Sequence, residues 1–348
     1  MQGFSGVNSF DPSVARARGC RQAMDDALWS SVAELLAELD ETPQVNPAST
    51  GGETADADAT CLLDYAAYFD LALPPPGGEE LSPQVRADAI AWLRRRLHLA
   101  ERLDAAPAPP RITNYSTDFY SPAQLEQMRR WWDVEAANRM GMTRAHDADF
   151  ERAGKLIEVA MGHLRDAAPE LHDEIQVIVR DIVMAQPDGT NLINYSGASS
   201  FALWGALTIN SETHHEWMQF YRQIVHEAGH NLLFGMAREQ PLVSNDPSKR
   251  MASPIRADPR PLDGIFHAAF VSAREALALD ALLVRHDETG CFSEEDAAIL
   301  MDLLELSVFA FWDCIETLRD AADLTELGEQ VLSDCEAYMT ANFAVEHS

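Results

Sequence analysis

Lysine is nearly missing from this chain: Lys155 and Lys249 are the only two among 348 residues. Carboxylate recognition therefore falls to arginine, whose planar guanidinium grips an anion through two parallel donors. Positive charge as a whole is scarce, with 26 lysines and arginines against 56 acidic residues and a formal net charge of -30. A basic footprint is what nucleic acids and anionic membrane surfaces require, so neither is an expected partner. The acidic surplus reads first as a solubility device. No stretch approaches the ~20 apolar residues of a membrane-spanning helix, and the opening MQGFSGVNSFDPS has no hydrophobic signal core, so a cytoplasmic location is expected. Cys20, Cys61, Cys291, Cys314 and Cys335 are an odd five with no C-x-x-C spacing. That pattern argues against a disulfide framework or a thiolate zinc site and predicts reduced, packing thiols.

What is present is enough apolar material for substantial cores, 47% of the residues. Helical periodicity covers about 23–39, where Leu28, Trp29, Val32, Leu35, Leu36 and Leu39 recur at three and four. Further helices are expected at about 61–73, from Ser82-Pro83 to about 103, from Ser121-Pro122 through Trp132, at 147–166, at 265–285 and over 293–342. Two stretches change period: 174–185, EIQVIVRDIVMA, and 201–210, FALWGALTIN, predict strands. The fold class is thus mainly α with a small β-sheet (α+β). An N-terminal helical region 1–110, with an acidic loop at 41–60, precedes a catalytic region 111–348. Arg94, Arg95, Arg96 and Arg102 form a basic cluster whose expected work is neutralising nearby carboxylates.

The chemistry concentrates in His226-Glu227-Ala228-Gly229-His230, on a helix expected over 214–237 and opened by a Thr213-x-x-Glu216 capping pattern. Histidines four apart on a helix are turned by about 40° and can reach one ion; Glu227 between them can reach a metal-bound water without binding the metal. Trp217, Tyr221, Ile224, Ala228 and Leu232 form the opposite, apolar arc, whereas Gln219, Arg222, Gln223 and His230 share the arc of His226. Gly229, a poor helix former, leaves room for something to approach. His214 and His215, at the helix start, are expected at the surface.

A metal needs a third protein ligand, and the next helix offers two: His267, for a three-histidine set, or Glu275, for two histidines and a glutamate. Arg274 lies seven residues from His267 and so on roughly the same helix face, as a carboxylate clamp beside a ligand would. Arg260, between Pro259 and Pro261, is a second candidate clamp, and Arg256 a third, weighed against an ordinary salt bridge. Residues 241–264, rich in proline, are expected as an ordered loop.

The block IVHEAGHNLLFGM followed by SPIRADPRPLDGIFHAAFVSARE resembles the HExxH-type peptide-modification proteins of ribosomal peptide pathways. Those proteins are linked to 2-oxoglutarate-dependent, non-haem iron β-hydroxylation in natural product biosynthesis. The resemblance covers about residues 215–280. It implies His226 and His230 as Fe(II) ligands, His267 as the third, and Arg260 and Arg274 as the holders of 2-oxoglutarate. The implied activity is hydroxylation of an unactivated carbon of a peptide or other small substrate, with Glu227 supporting a ligand or a water. The alternative is a zinc metallopeptidase in which Zn(II) activates water, Glu227 is the general base, and the strand 201–210 pairs with an extended peptide.

Overall fold

The computed structural model describes residues 8–40, 59–74, 80–99, 108–132, 141–189, 195–252 and 259–343. Residues 41–58 of the acidic loop, together with Arg102 and Arg256, lie outside them. The architecture is mostly helical around one small mixed sheet, as the coarse α+β expectation had it.

Ten helices are described: α1 Val14–Asp40, α2 Leu62–Ala72, α3 Pro83–Leu97, α4 Pro122–Trp132, α5 Asp147–Ala167, α6 Pro169–Ile178, α7 Trp217–Met236, α8 Leu262–Thr289, α9 Glu294–Ala321 and α10 Glu326–Asn342. Several begin on the signals present in the sequence. Ser82 accepts a hydrogen bond from the Val85 amide with Pro83 next in the chain, and Ser293 caps α9 through the Asp296 amide, each satisfying an orphan donor of the first turn. In α7 the capping box sits three residues later than expected, at Glu216 and Gln219.

The sheet has strands β1 Arg111–Asn114, β2 Met142–Arg144, β3 Asp181–Pro187, β4 Gly197–Ser199 and β5 Ala206–Asn210. β1, β3 and β5 run parallel in that order, β4 closes the far edge antiparallel to β5, and β2 pairs antiparallel with the end of β3. A two-stranded hairpin, β6 Arg250–Met251 with β7 Arg260–Pro261, stands apart in the proline-rich segment. The predicted strand 174–185 is a helix end followed by a strand. Pro169 starts α6, whose Leu171, Ile175 and Ile178 are buried, and only from Asp181 is the chain extended. The predicted strand 201–210 likewise opens with a 3-10 turn at Phe201–Leu203. Gly205, at φ 84°, then turns the chain into β5 where a side chain would be strained.

One continuous core runs from Phe10 to Met339, so residues on both sides of position 110 share it. Within it α7 lies against α8, α1, α5 and the β4–β5 edge. Asn231 fixes this placement: its side chain accepts the Gly205 amide and donates to the Ala206 carbonyl, while its own carbonyl accepts Trp204 Nε1. Among the described residues no helix is long and apolar enough to cross a membrane.

Candidate metal centre

The apolar arc of α7 faces inward as its spacing dictates: Tyr221, Ile224, Ala228 and Leu232 are buried, while Arg222, Gln223, His226 and His230 are half-buried. His226 and His230 turn toward each other, with their Nε2 atoms 3.2 Å apart. Two nitrogens each about 2.1 Å from an ion at a tetrahedral angle lie about 3.4 Å apart, so this pair is spaced for one.

Helix α8 brings the remaining parts, and Gly229 is what lets it come close. A Cβ at Gly229 would stand 3.1 Å from Cγ1 of Val271, so what occupies the space it leaves is the neighbouring helix. A second tie is the Tyr221 hydroxyl, which donates to the Ala278 carbonyl at 2.7 Å. Two residues on α8 then flank the histidine pair from different sides.

Glu275 is on the far edge of His226. Its Oε1 accepts from His226 Nδ1 at 2.7 Å, and its Oε2 accepts from Arg222 Nε at 2.8 Å and from Ser307 Oγ at 2.7 Å. Burial alone would raise this carboxyl, but Arg222 and the hydrogen bonds from His226 and Ser307 outweigh it and hold it at about 2. A carboxylate accepting from Nδ1–H turns Nε2 of His226 toward an ion, the arrangement in which a carboxylate orients a ligating histidine. The same contact raises His226 against the lowering effect of burial.

His267 stacks on His230, with ring centroids 5.2 Å apart and planes inclined by 21°, and its Nδ1 lies 3.0 Å from His230 Nδ1. The three rings therefore form a chain, with His230 facing His226 through one nitrogen and His267 through the other. Among the described residues no three histidine, cysteine, aspartate or glutamate side chains are arranged to hold one ion. A three-histidine set requires the His267 ring to swing from the Nδ1 edge of His230 to its Nε2 edge. The donor chemistry fits a divalent transition metal: burial, together with the neighbouring histidines, pushes His230 well below its ordinary pKa, and burial lowers His267 as well. Neutral imidazole is the ligating form.

Glu227 is buried, with both oxygens engaged at 2.8 Å, Oε2 by Ser199 Oγ of β4 and Oε1 by Gln223 Nε2. Burial raises its pKa against the opposing influence of His226, Ser199 and Gln223. Gln223 passes so near the edge strand that a Cβ at Gly197 would lie 2.7 Å from its Nε2. Gln223 and Arg222 stood on the right arc of the helix in the sequence. Nothing local to Ser199, Gly197 or Ser307 marks them, because they come from a strand edge and from α9.

The candidate clamps are dispersed. Arg274 is buried and its guanidinium is committed to Glu174 of α6 and to the Phe10 carbonyl at 2.7 Å, away from the histidines. The seven-residue spacing placed Arg274 and His267 on one face, but they are two turns apart along a helix that meets α7 at one level and α6 with the N-terminal segment at another. Arg260 is half-buried in β7, two residues before α8 begins. His214, expected at the surface, is buried; its ring lies 5.0 Å from Phe220 and its Nδ1 is 2.9 Å from the Asn210 carbonyl. His215 is exposed.

Comparison with known proteins returns no matching family model and no match among curated proteins.

Proposed function

We propose that this protein is a metal-dependent oxygenase that holds Fe(II) through His226, His230 and His267 and hydroxylates an unactivated carbon of a peptide or amino-acid side chain with 2-oxoglutarate as co-substrate. The observation that carries the proposal is the use of Glu275. Its oxygens are engaged by His226 Nδ1, Arg222 and Ser307, as those of an orienting carboxylate are, which supports His267 as the third ligand once its ring swings to the Nε2 edge of His230. Bound Fe(II) would supply open coordination positions for 2-oxoglutarate and O2, and with them the oxidising power for a C–H bond.

The chain's own residues do the rest. Glu275 fixes the His226 tautomer and ring plane. Glu227, tied to Ser199 and Gln223, presents a buried carboxyl beside the histidines, suited to holding a water or a proton in place. Arg260, in β7 two residues before α8, remains the clamp candidate, and the resemblance of the DPRP block supports it.

A second reading, a zinc peptidase with Glu227 as base, is favoured by one observation: β4 is an antiparallel edge strand directly against Glu227, where an extended peptide could add to the sheet. One experiment separates the two. Purified protein with Fe(II), 2-oxoglutarate and O2 is expected to release succinate and add about 16 Da to a peptide substrate, one oxygen atom. Succinate at the level of the blank together with Zn(II)-dependent peptide cleavage would replace the first reading by the second. His267→Ala is expected to lose the metal outright, and Glu275→Gln to weaken it about 10–100-fold; full metal retention in His267→Ala removes it from the ligand set.

A further inference from the structure

A cavity of about 520 Å3 opens between the end of α7, the segment 241–247 and the start of α8, within the size range of small-molecule sites. His267 lines it, and it is the one member of the histidine cluster that does. Phe234 lies against His267 with ring centroids 5.0 Å apart, and Phe201 follows at 6.1 Å from Phe234. Phe201 is 39% exposed, a large aromatic left at the mouth where burial would be favourable. Leu242, Val243 and Pro261 complete an apolar wall. The charged lining residues are Asp246, Asp263 and Arg238, and Arg238 is ion-paired with its neighbour Glu239. Asp246 and Asp263 are exposed, so the rim carries negative charge above an aromatic floor.

We propose that this cavity is the substrate pocket of the centre and that it takes a bulky apolar side chain from a peptide segment carrying a basic flanking residue. The inference rests on the reading of His267 as part of the reactive centre and adds to it the class of substrate. An aromatic or branched side chain entering past Phe201 would stack on Phe234 and end beside His267. A lysine or arginine next to it in the substrate would meet Asp246 and Asp263 at the rim, whereas an acidic flank would be repelled there and by the net charge of -30. A cationic aromatic segment also suits the pairing of ring with ring in the floor.

The test is calorimetric binding of three acetylated, amidated tripeptides, Arg-Phe-Arg, Glu-Phe-Glu and Arg-Ala-Arg, to the full chain. Arg-Phe-Arg is expected to bind about tenfold or more tightly than either of the others. Ala237→Trp, which fills the cavity from its wall, should remove that preference. Phe201→Leu, which removes the ring but keeps apolar packing against Phe69, should weaken Arg-Phe-Arg several-fold with little change in thermal unfolding. Equal affinity for the three peptides, or affinity untouched by both variants, overturns the pocket. Because binding is read without turnover, the two proposals fail separately. Peptide bound with no succinate formed defeats the oxygenase reading alone, and hydroxylation of a substrate by Ala237→Trp at the native rate defeats the pocket alone.

Discussion

Gly229 sits between the two helix histidines with Val271 pressed against it, so its lack of a side chain is a packing requirement of the α7–α8 contact. Gly229→Val is expected to force the helices apart and cost about 1–3 kcal/mol, the usual range for overpacking a filled core. Chemical denaturation measures this, and Val271→Ala in the same chain should restore part of the loss. A Gly229→Val protein as stable as the parent would show that the helices do not meet there. His214 allows a pH argument at a histidine outside the metal-ligand set. Burial holds its pKa below the ordinary value of 6.5, against a hydrogen bond that its ring donates to the Asn210 carbonyl and one shared with Gln223. Its contribution is therefore complete above 6.5 and is lost as the pH falls from 6.5 through the folded pKa, because the unfolded chain takes up the proton first. His214→Asn should flatten the fall in unfolding free energy as the pH drops below about 6.5; an unchanged slope would place the titration elsewhere.

At the scale of elements, α1, α6 and α8 are tied by a buried carboxylate. Glu174 accepts from Arg16 and Arg274, both buried with it, and from the half-buried Ser13 amide. Removing one partner of such a cluster leaves an uncompensated charge, so Glu174→Ala is expected to cost about 3–5 kcal/mol, and Arg274→Met, which packs without charge, distinctly less. The 2-oxoglutarate requirement of Arg274→Met should match the parent. A raised requirement without loss of stability would return Arg274 to the binding machinery. This tie also explains what could be read in advance. The arcs of α7 were legible because helical period alone decides which residues face together. The destination of Arg274 was not, since Glu174 stands a hundred positions away and within a run, 174–185, that reads as strand. Buried residues rich in β-branching look alike in a helix end and in a central strand. Ser82 and Ser293 were readable for the opposite reason, each acting three residues from itself.

For the whole molecule, the surplus of acidic groups sets a self-repulsion that the fold carries everywhere, while its interior ion pairs are shielded from salt. Raising the salt from about 10 mM to about 150 mM shortens the screening length from about 30 Å to about 8 Å. The thermal midpoint followed by circular dichroism should rise by a few degrees over that interval. A midpoint that falls would mean that exposed attractive pairs such as Arg319 with Glu329 outweigh the repulsion.

The outer wall of the cavity is held from the far end of the chain. Val243 bridges Leu324, the Ser244 amide donates to the Asp323 carbonyl, and the Thr325 amide and hydroxyl reach the Leu242 and Pro241 carbonyls. Gly328 lies so near that a Cβ there would stand 2.0 Å from the Leu242 carbonyl oxygen. During synthesis the histidines are all in place once α8 has been made, but the wall beside His267 has nothing to lean on until about forty further residues have emerged and the turn into α10 has docked. A nascent chain would thus pass through a stage in which the reactive cluster exists without an enclosure, and the last helix acts as the latch that ends it.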